Sequence, residues 1–144
     1  TMTGIGNDVY LYSPGQGNDQ INESSATSPA DTISVAEGIT AQDIYFQKYG
    51  SSSDLILKTL GQTGKLTISG HFNSASKRIE SLVLSDTTTI QLTAGMALTA
   101  DSEYSSIVGT SYADTPKGSI GNDTLSGGVE NDTYLYVAGQ GNDV

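Results

Sequence analysis

The chain has 144 residues, enough for one ordinary domain or one long repeat unit. Its 16 acidic and 6 basic residues give a net charge of −10, so nucleic acid and anionic membrane surfaces, which require a positive face, are poor partners. Cysteine is absent, which excludes disulfides and a thiol nucleophile, and no run approaches the ~18 apolar residues of a transmembrane helix.

In chain order, the composition divides the chain into three parts. Residues 1–22 and 107–144 are rich in Gly, Asn and Asp, whereas residues 23–106 begin with a polar loop at 23–30 and continue as a β-rich segment. This segment contains short β-branched or alternating runs bounded by Gly, Ser or Asn, which predict strands. The predicted strands are Thr32–Val35, Asp43–Tyr49, Asp54–Thr59, Lys65–Ser69, Ile79–Leu84 and Thr88–Leu92. No pattern predicts a helix longer than one turn.

A long internal repeat joins the two ends of the chain. Residues 7–19 recur as residues 131–143 at an offset of 124, and ten of the thirteen positions are identical. We therefore expect the chain to be about one period of a tandem array, with neighbouring repeat units as its partners. The ends of such a roll could also dock on each other, within one chain or between chains, or they could remain unpaired.

A nine-residue repeat lies within the long one. Glycines recur at Gly109, Gly118 and Gly127, and an aspartate follows each by five residues. Further Gly-x-Gly-Asn-Asp units end at Asp19 and Asp143. Ordinary Asx turns would not impose a nine-residue period, so the pattern indicates stacked coils.

The residue types in this repeat suit calcium. Ca²⁺ takes six to eight oxygen ligands, and carboxylates and backbone carbonyls both supply them. Glycine permits the tight turns that point carbonyls at an ion, and the aspartate behind each turn adds charge. The predicted metal-site residues are Asp8, Asp19, Asp114, Asp123, Asp132, Asp143, Gly4, Gly6, Gly15, Gly17, Gly109, Gly118, Ile120, Gly121, Gly127, Val129, Gly139 and Gly141.

Stacking explains how such a repeat can fold. One unit cannot bury its single apolar residue alone, but if two units form one coil, successive coils cover each other. Turns two units apart then share an edge, so Asp114 should face Asp132, and Asp123 should face Asp143. Because stacked carboxylates repel without a cation, we expect folding to be coupled to Ca²⁺ binding.

The repeat resembles that of the RTX (repeats-in-toxin, haemolysin-type) family, Gly-Gly-x-Gly-x-Asp-x-U-x, where U is large and apolar. Residues 127–135 depart from it at Glu130, which stands in place of the third glycine, and residues 118–126 depart at Ser119. Residues 109–117 are the most degenerate, with Thr110, Tyr112 and Pro116 at consensus positions.

The middle segment also resembles the haemolysin-related β segment that follows such repeats. The similar stretches are Gly38–Asp43, Asp54–Leu57, Lys65–Phe72 and Arg78–Asp86. The resemblance implies an all-β fold, a parallel β-roll with a β-rich insert or cap. It also implies a toxin-related, calcium-binding protein that leaves Gram-negative bacteria by type I secretion and acts outside the cell or on its surface.

Other functions find less support in the residues. No Gly-x-Ser-x-Gly elbow is present, and a single histidine, His71, makes a poor catalytic case, so we expect no enzyme. The alternative is an adhesion module that binds carbohydrate or protein while calcium stabilises it. The tyrosines of the long repeat, Tyr10, Tyr12, Tyr134 and Tyr136, could serve such a surface, although inward packing is the simpler expectation.

Overall fold

The structure, a computed structural model, describes residues 1–24 and 30–144. Within these ranges it is all-β, with short strands and a single 3-10 turn at Ala75–Lys77. The strands are β1 (Met2–Gly4), β2 (Val9–Tyr12), β3 (Gly17–Glu23), β4 (Thr32–Val35), β5 (Ile44–Gln47), β6 (Leu55–Thr59), β7 (Gly64–Ile68), β8 (Ser81–Val83), β9 (Thr89–Gln91), β10 (Ala97–Thr99), β11 (Ser106–Val108), β12 (Thr115–Lys117) and β13 (Thr124–Ser126).

The chain forms two compact units. The first contains Thr1–Tyr45 and Ser53–Thr93, and the second contains Phe46–Ser52 and Ala94–Val144. Composition predicts a different division of the chain, with boundaries after residues 22 and 106. That division stays a prediction. No helix in the described ranges is long and apolar enough to cross a membrane.

The first unit is built from two parallel ladders. Strand β3 lies between β1 and β7, and β4 lies between β2 and β8, all in parallel. Strand β6 joins β7, and β9 joins β8, in antiparallel register. Alternate side chains point inward and form the core of this unit, including the fully buried Ile21, Ile33, Leu66 and Leu82.

The second unit repeats the same arrangement with shorter strands. Strand β10 pairs with β12 and β11 with β13, both in parallel. Leu98 lies opposite Pro116 and, on its other side, opposite Phe46 of β5. Pro116, which replaces the consensus apolar residue, is buried in this column, so the degenerate repeat keeps its inward side chain.

The six strands predicted in the middle segment are confirmed, with ends within two residues of the prediction. The nonapeptide pattern also predicts that Gly17 and Asn18 lie in a turn and that Thr133 and Tyr134 form a short strand, and both expectations are wrong. Residues Gly17–Asp19 lie in strand β3 because they pair with Gly64–Leu66, and Thr133–Tyr134 form no strand, since pairing there is limited to a bridge between Lys117 and Leu135. The predicted loop at 23–30 lies mostly outside the described residues.

The N-terminal repeat is paired within the first unit, so the expectation that it could remain unpaired is wrong. Strands β1 and β2 pair with β3 and β4, which begin the connection into the middle segment. This pairing buries Tyr10 and Tyr12 as expected, whereas Tyr134 and Tyr136 are 54% and 68% exposed. Inward packing is therefore right for the first copy of the long repeat and wrong for the second.

Candidate calcium centres

The predicted stacking of repeat turns is present in the second unit. The Asp114 N–H donates to Asp132 Oδ1 at 2.9 Å, and the Asp123 N–H donates to Asp143 Oδ1 at 3.1 Å. Turns 18 and 20 residues apart thus lie one above the other, with the carboxylate of the later turn on the backbone of the earlier one.

Two carboxylates converge at Gly118. A Cβ atom built on Gly118 would lie 2.6 Å from Asp143 Oδ2 and 3.3 Å from Asp123 Oδ2. Asp123 is 2% exposed, and its Oδ2 accepts the Ser119 N–H at 2.7 Å. Two carboxylates this close in a partly desolvated turn repel each other, so the arrangement favours a cation.

Asp114 differs from the other repeat aspartates because protein donors occupy both of its carboxylate oxygens. Its Oδ1 accepts the Met96 N–H at 2.7 Å, and its Oδ2 accepts the N–H and the hydroxyl of Thr110 at 2.6 and 2.8 Å. Burial lowers the pKa of Lys48, and the negative charge of Asp114 acts on it in the opposite direction. Asp114 is thus stabilised without a metal.

The fourth position of the nonapeptide requires a left-handed backbone. Its φ is 111° at Gly6, 128° at Gly121 and 137° at Gly141, and Glu130 also adopts a φ of 72° there. At the equivalent Tyr112 the backbone φ is not positive, so residues 109–117 form a different turn. The turn therefore imposes its geometry even on a residue that does not favour it.

The remaining predicted residues serve the turns in several ways. Gly109 allows the close approach of the Gly127 carbonyl, Gly127 leaves room for the Asp132 carboxylate, and Gly15 and Gly139 have positive φ. Asp19 is half-buried in β3 opposite Leu66, and Gly17 faces Gly64. The side chains of Ile120 and Val129 are exposed.

The first unit contains an acidic cluster that the repeat pattern only partly predicts. Asp8, Glu23 and Asp31 each place a carboxylate oxygen within 4.8 Å of the others. Glu23 and Asp31 are 2% and 0% exposed, and Asp8 is half-buried. We call these three residues the N-terminal acidic cluster.

Strand register assembles this cluster. Glu23 lies opposite Gly4 at the ends of β3 and β1, and Asp31 precedes β4 as Asp8 precedes β2. The Asp8 N–H donates to Asp31 Oδ1, and the Asp31 N–H donates to Glu80 Oε2, both at 2.8 Å. Sequence analysis missed Glu23 and Asp31 because both lie outside the nonapeptide. The available signal was an aspartate directly before the predicted strand Thr32–Val35.

The cluster has a strongly negative environment. Burial raises the pKa of Asp31, whereas the hydrogen bond from the Asp8 N–H lowers it. The neighbouring negative charges of Glu23, Glu80 and Asp8 raise this pKa further. Burial also raises the pKa of Tyr10, whose hydroxyl donates to Glu23 Oε2. Carboxylates in such surroundings are stabilised by a cation.

The donor set fits calcium. Every candidate ligand is an oxygen, and the chain has no cysteine and no histidine in these turns. At Gly4 an added Cβ would collide with the Asp8 carboxylate and the Tyr10 hydroxyl, so the glycine keeps this space for oxygen atoms. Hard oxygen ligands favour Ca²⁺ or Mg²⁺ over the softer transition metals.

Comparison with known proteins agrees with this chemistry. Residues 54–94, from β6 to the end of the β9 hairpin, match the haemolysin-type calcium binding protein related domain. The resemblance to the RTX, haemolysin-type calcium-binding family is thereby confirmed. No curated protein matches the chain significantly.

Proposed function

We propose that this chain is a calcium-binding module of a secreted tandem-repeat protein of the RTX type, and that its parallel coils form a β-roll stabilised by Ca²⁺. The observation that carries the proposal is the convergence of the Asp123 and Asp143 carboxylates at Gly118 in stacked repeat turns. The match of residues 54–94 to a calcium-binding-related domain supports the same ion.

In this function, the residues of the chain hold and orient the ion. The bound Ca²⁺ supplies the positive charge that the stacked carboxylates lack. The N–H of each earlier turn fixes the carboxylate of the later turn, and the buried position of Asp123 limits access of water. Asp132 and Asp143 serve as ligands in this scheme, whereas the role of Asp114 is structural because its oxygens are already occupied.

The coupling between calcium and folding follows from charge. The chain carries −10, and much of its acidity is concentrated in the turns. Without Ca²⁺ the stacked aspartates oppose coil formation, and with Ca²⁺ they join the coils. A chain of this kind stays unfolded at the low calcium of the cytosol and folds outside the cell, which suits export in an unfolded state.

The expected result is strand formation that depends on calcium. Far-UV circular dichroism should show strand signal in millimolar Ca²⁺ and lose most of it after chelation. Asp123→Asn should weaken Ca²⁺ binding at its site by at least about tenfold, since ligand-sphere changes cost 10–100-fold. Titration calorimetry measures this, and the exposed Glu37→Gln provides a control that leaves the affinity unchanged. A strand signal that is unaffected by chelation would refute the coupling.

A further inference from the structure

The N-terminal acidic cluster contains carboxylate oxygens without donors. In the described part of the chain, Asp8 Oδ2 and Asp31 Oδ2 are buried and accept no hydrogen bond. A buried carboxylate oxygen without a partner is strongly unfavourable in general, so native structures supply a proton, a donor or a metal ion. Here two such oxygens belong to one cluster, beside the buried Glu23.

The degenerate repeat at residues 109–117 provides a hydrogen-bond donor that the N-terminal acidic cluster lacks. Four residues before Asp114, the Thr110 hydroxyl and N–H occupy its Oδ2. Four residues before Asp8 stands Gly4, which has no side-chain donor and lies directly against Asp8 Oδ2. The same turn position is thus filled by a protein hydroxyl in one unit and left open beside a carboxylate in the other.

We propose that Asp8, Glu23 and Asp31 bind a Ca²⁺ ion, in a site where two of the three ligands come from outside the nonapeptide repeat. The site joins the N-terminal repeat to the segment that follows it, because Asp8 precedes β2 whereas Glu23 and Asp31 flank the connection between β3 and β4. The site goes beyond the proposed function, on which it rests for the identity of the ion, because the repeat pattern specifies only Asp8 among its three ligands.

The dimensions of the cluster suit calcium. With ligand distances of 2.3–2.6 Å, oxygens on opposite sides of a Ca²⁺ ion lie about 5 Å apart. The carboxylate oxygens of the cluster are within 4.8 Å of one another, a spacing at which a single ion can be shared by all three carboxylates. Mg²⁺ usually keeps several bound waters, which a site with Glu23 and Asp31 almost fully buried accommodates poorly.

The central experiment counts bound ions in the full chain. Native mass spectrometry and equilibrium dialysis with Ca²⁺ should show one ion fewer in Asp31→Asn than in the unsubstituted chain, or an affinity at that site lowered at least about 100-fold. Glu23→Gln is a second variant with the same expectation, and it keeps the acceptor for the Tyr10 hydroxyl. Asp123→Asn is the matched control, because it should remove binding at the repeat turns and leave this site intact.

Terbium luminescence tests for the bound ion independently, in variants that keep all three carboxylate ligands. Tb³⁺ replaces Ca²⁺ and emits when a nearby tyrosine is excited. Tyr10 contacts Glu23 of this site, whereas Tyr134 accepts the Gly127 N–H beside the Asp132 carboxylate. Tyr10→Phe should therefore remove the emission from this site, and Tyr134→Phe should remove emission from the repeat turn.

The outcomes separate the two proposals. If Asp31→Asn and Glu23→Gln each lose one ion while Asp123→Asn loses a different one, the additional site is supported. If both cluster variants bind as many ions as the unsubstituted chain, with equal affinity, and Tyr10→Phe leaves the terbium signal unchanged, the additional site is refuted while the proposed function stands. If the unsubstituted chain binds no Ca²⁺, both proposals fail.

Discussion

At the scale of single residues, Glu130 shows how strictly the repeat turn dictates its backbone. It stands at a position that glycine occupies in other turns, and it adopts a φ of 72°. An L-residue in this region is disfavoured by about 1–2 kcal/mol. Ser119 also replaces a consensus glycine, but its φ is not positive and its N–H caps Asp123, so its turn carries no such strain.

The two departures from the consensus should therefore respond differently to glycine. Glu130→Gly should raise the free energy of unfolding by roughly 0.5–1 kcal/mol, because relief of strain exceeds the added freedom of the unfolded chain. Ser119→Gly should leave it unchanged or lower it, since the substitution adds freedom to the unfolded chain and relieves nothing. Urea denaturation in saturating Ca²⁺ measures both, and equal stabilisation by the two substitutions would contradict this account.

At the scale of elements, alternation predicted strands such as β4 because they bury one face, whereas β6, whose five residues are all buried, was predicted from its apolar run. Alternation did not predict that Gly17–Asp19 extend β3, since their Gly-Asn-Asp composition is that of a turn and only the pairing with Gly64–Leu66 makes them a strand. The candidate site was predictable to the same degree. Asp8 was identified by its motif, but Glu23 and Asp31 reach it through the register of β1 with β3 and of β2 with β4, which a local pattern does not encode.

His71 joins elements of the first unit as a neutral side chain. It is 1% exposed, its Nε2 lies 2.8 Å from the Leu92 carbonyl beyond β9, and its Nδ1 accepts the Ile79 N–H before β8. Burial lowers its pKa from 6.5 to about 4, and the charge of Arg78 acts in the same direction, against the Leu92 hydrogen bond. These contacts give His71 a structural role in the core of the first unit.

This histidine should make stability depend on pH. Because the unfolded chain takes up the proton near pH 6.5 and the folded chain only near pH 4, its contribution is complete above pH 6.5 and is lost as the pH falls towards 4. Between pH 6.5 and 5 the free energy of unfolding should fall by about 2 kcal/mol, since each pH unit in this range changes it by about 1.36 kcal/mol. Urea denaturation at several pH values measures it. His71→Gln should flatten this part of the profile, and an unchanged slope in that variant would assign the effect to other groups.

At the scale of the whole molecule, the two copies of the long repeat are identical at ten of thirteen positions but have different surroundings. Tyr10 and Tyr12 are buried because β3 and β4 follow them in the first unit, whereas Tyr134 and Tyr136 are largely exposed, with Leu135 and Val137 beside them. The difference lies in the neighbouring coil. Exposed apolar groups of this kind are typical of a surface that another element covers.

A neighbouring repeat unit should cover these residues. In an extended chain in which Val144 is followed by a copy of residues 21–93, the added strand equivalent to β4 should pair with residues 133–136 and bury Tyr134 and Tyr136. Nitration with tetranitromethane and peptide mapping measures their accessibility in Ca²⁺, and Tyr112, which is 37% exposed, is the internal control. Equal nitration of Tyr136 in the original and extended chains would exclude tandem packing at this surface.

The carboxylate hydrogen bonds between turns also have a polarity. The donor N–H precedes its acceptor in sequence in each case, from Asp8 to Asp31, from Asp31 to Glu80, from Asp114 to Asp132 and from Asp123 to Asp143. A ladder of one polarity has two unlike ends, so we expect repeat units to dock head to tail, in open arrays of one direction rather than in closed symmetric pairs.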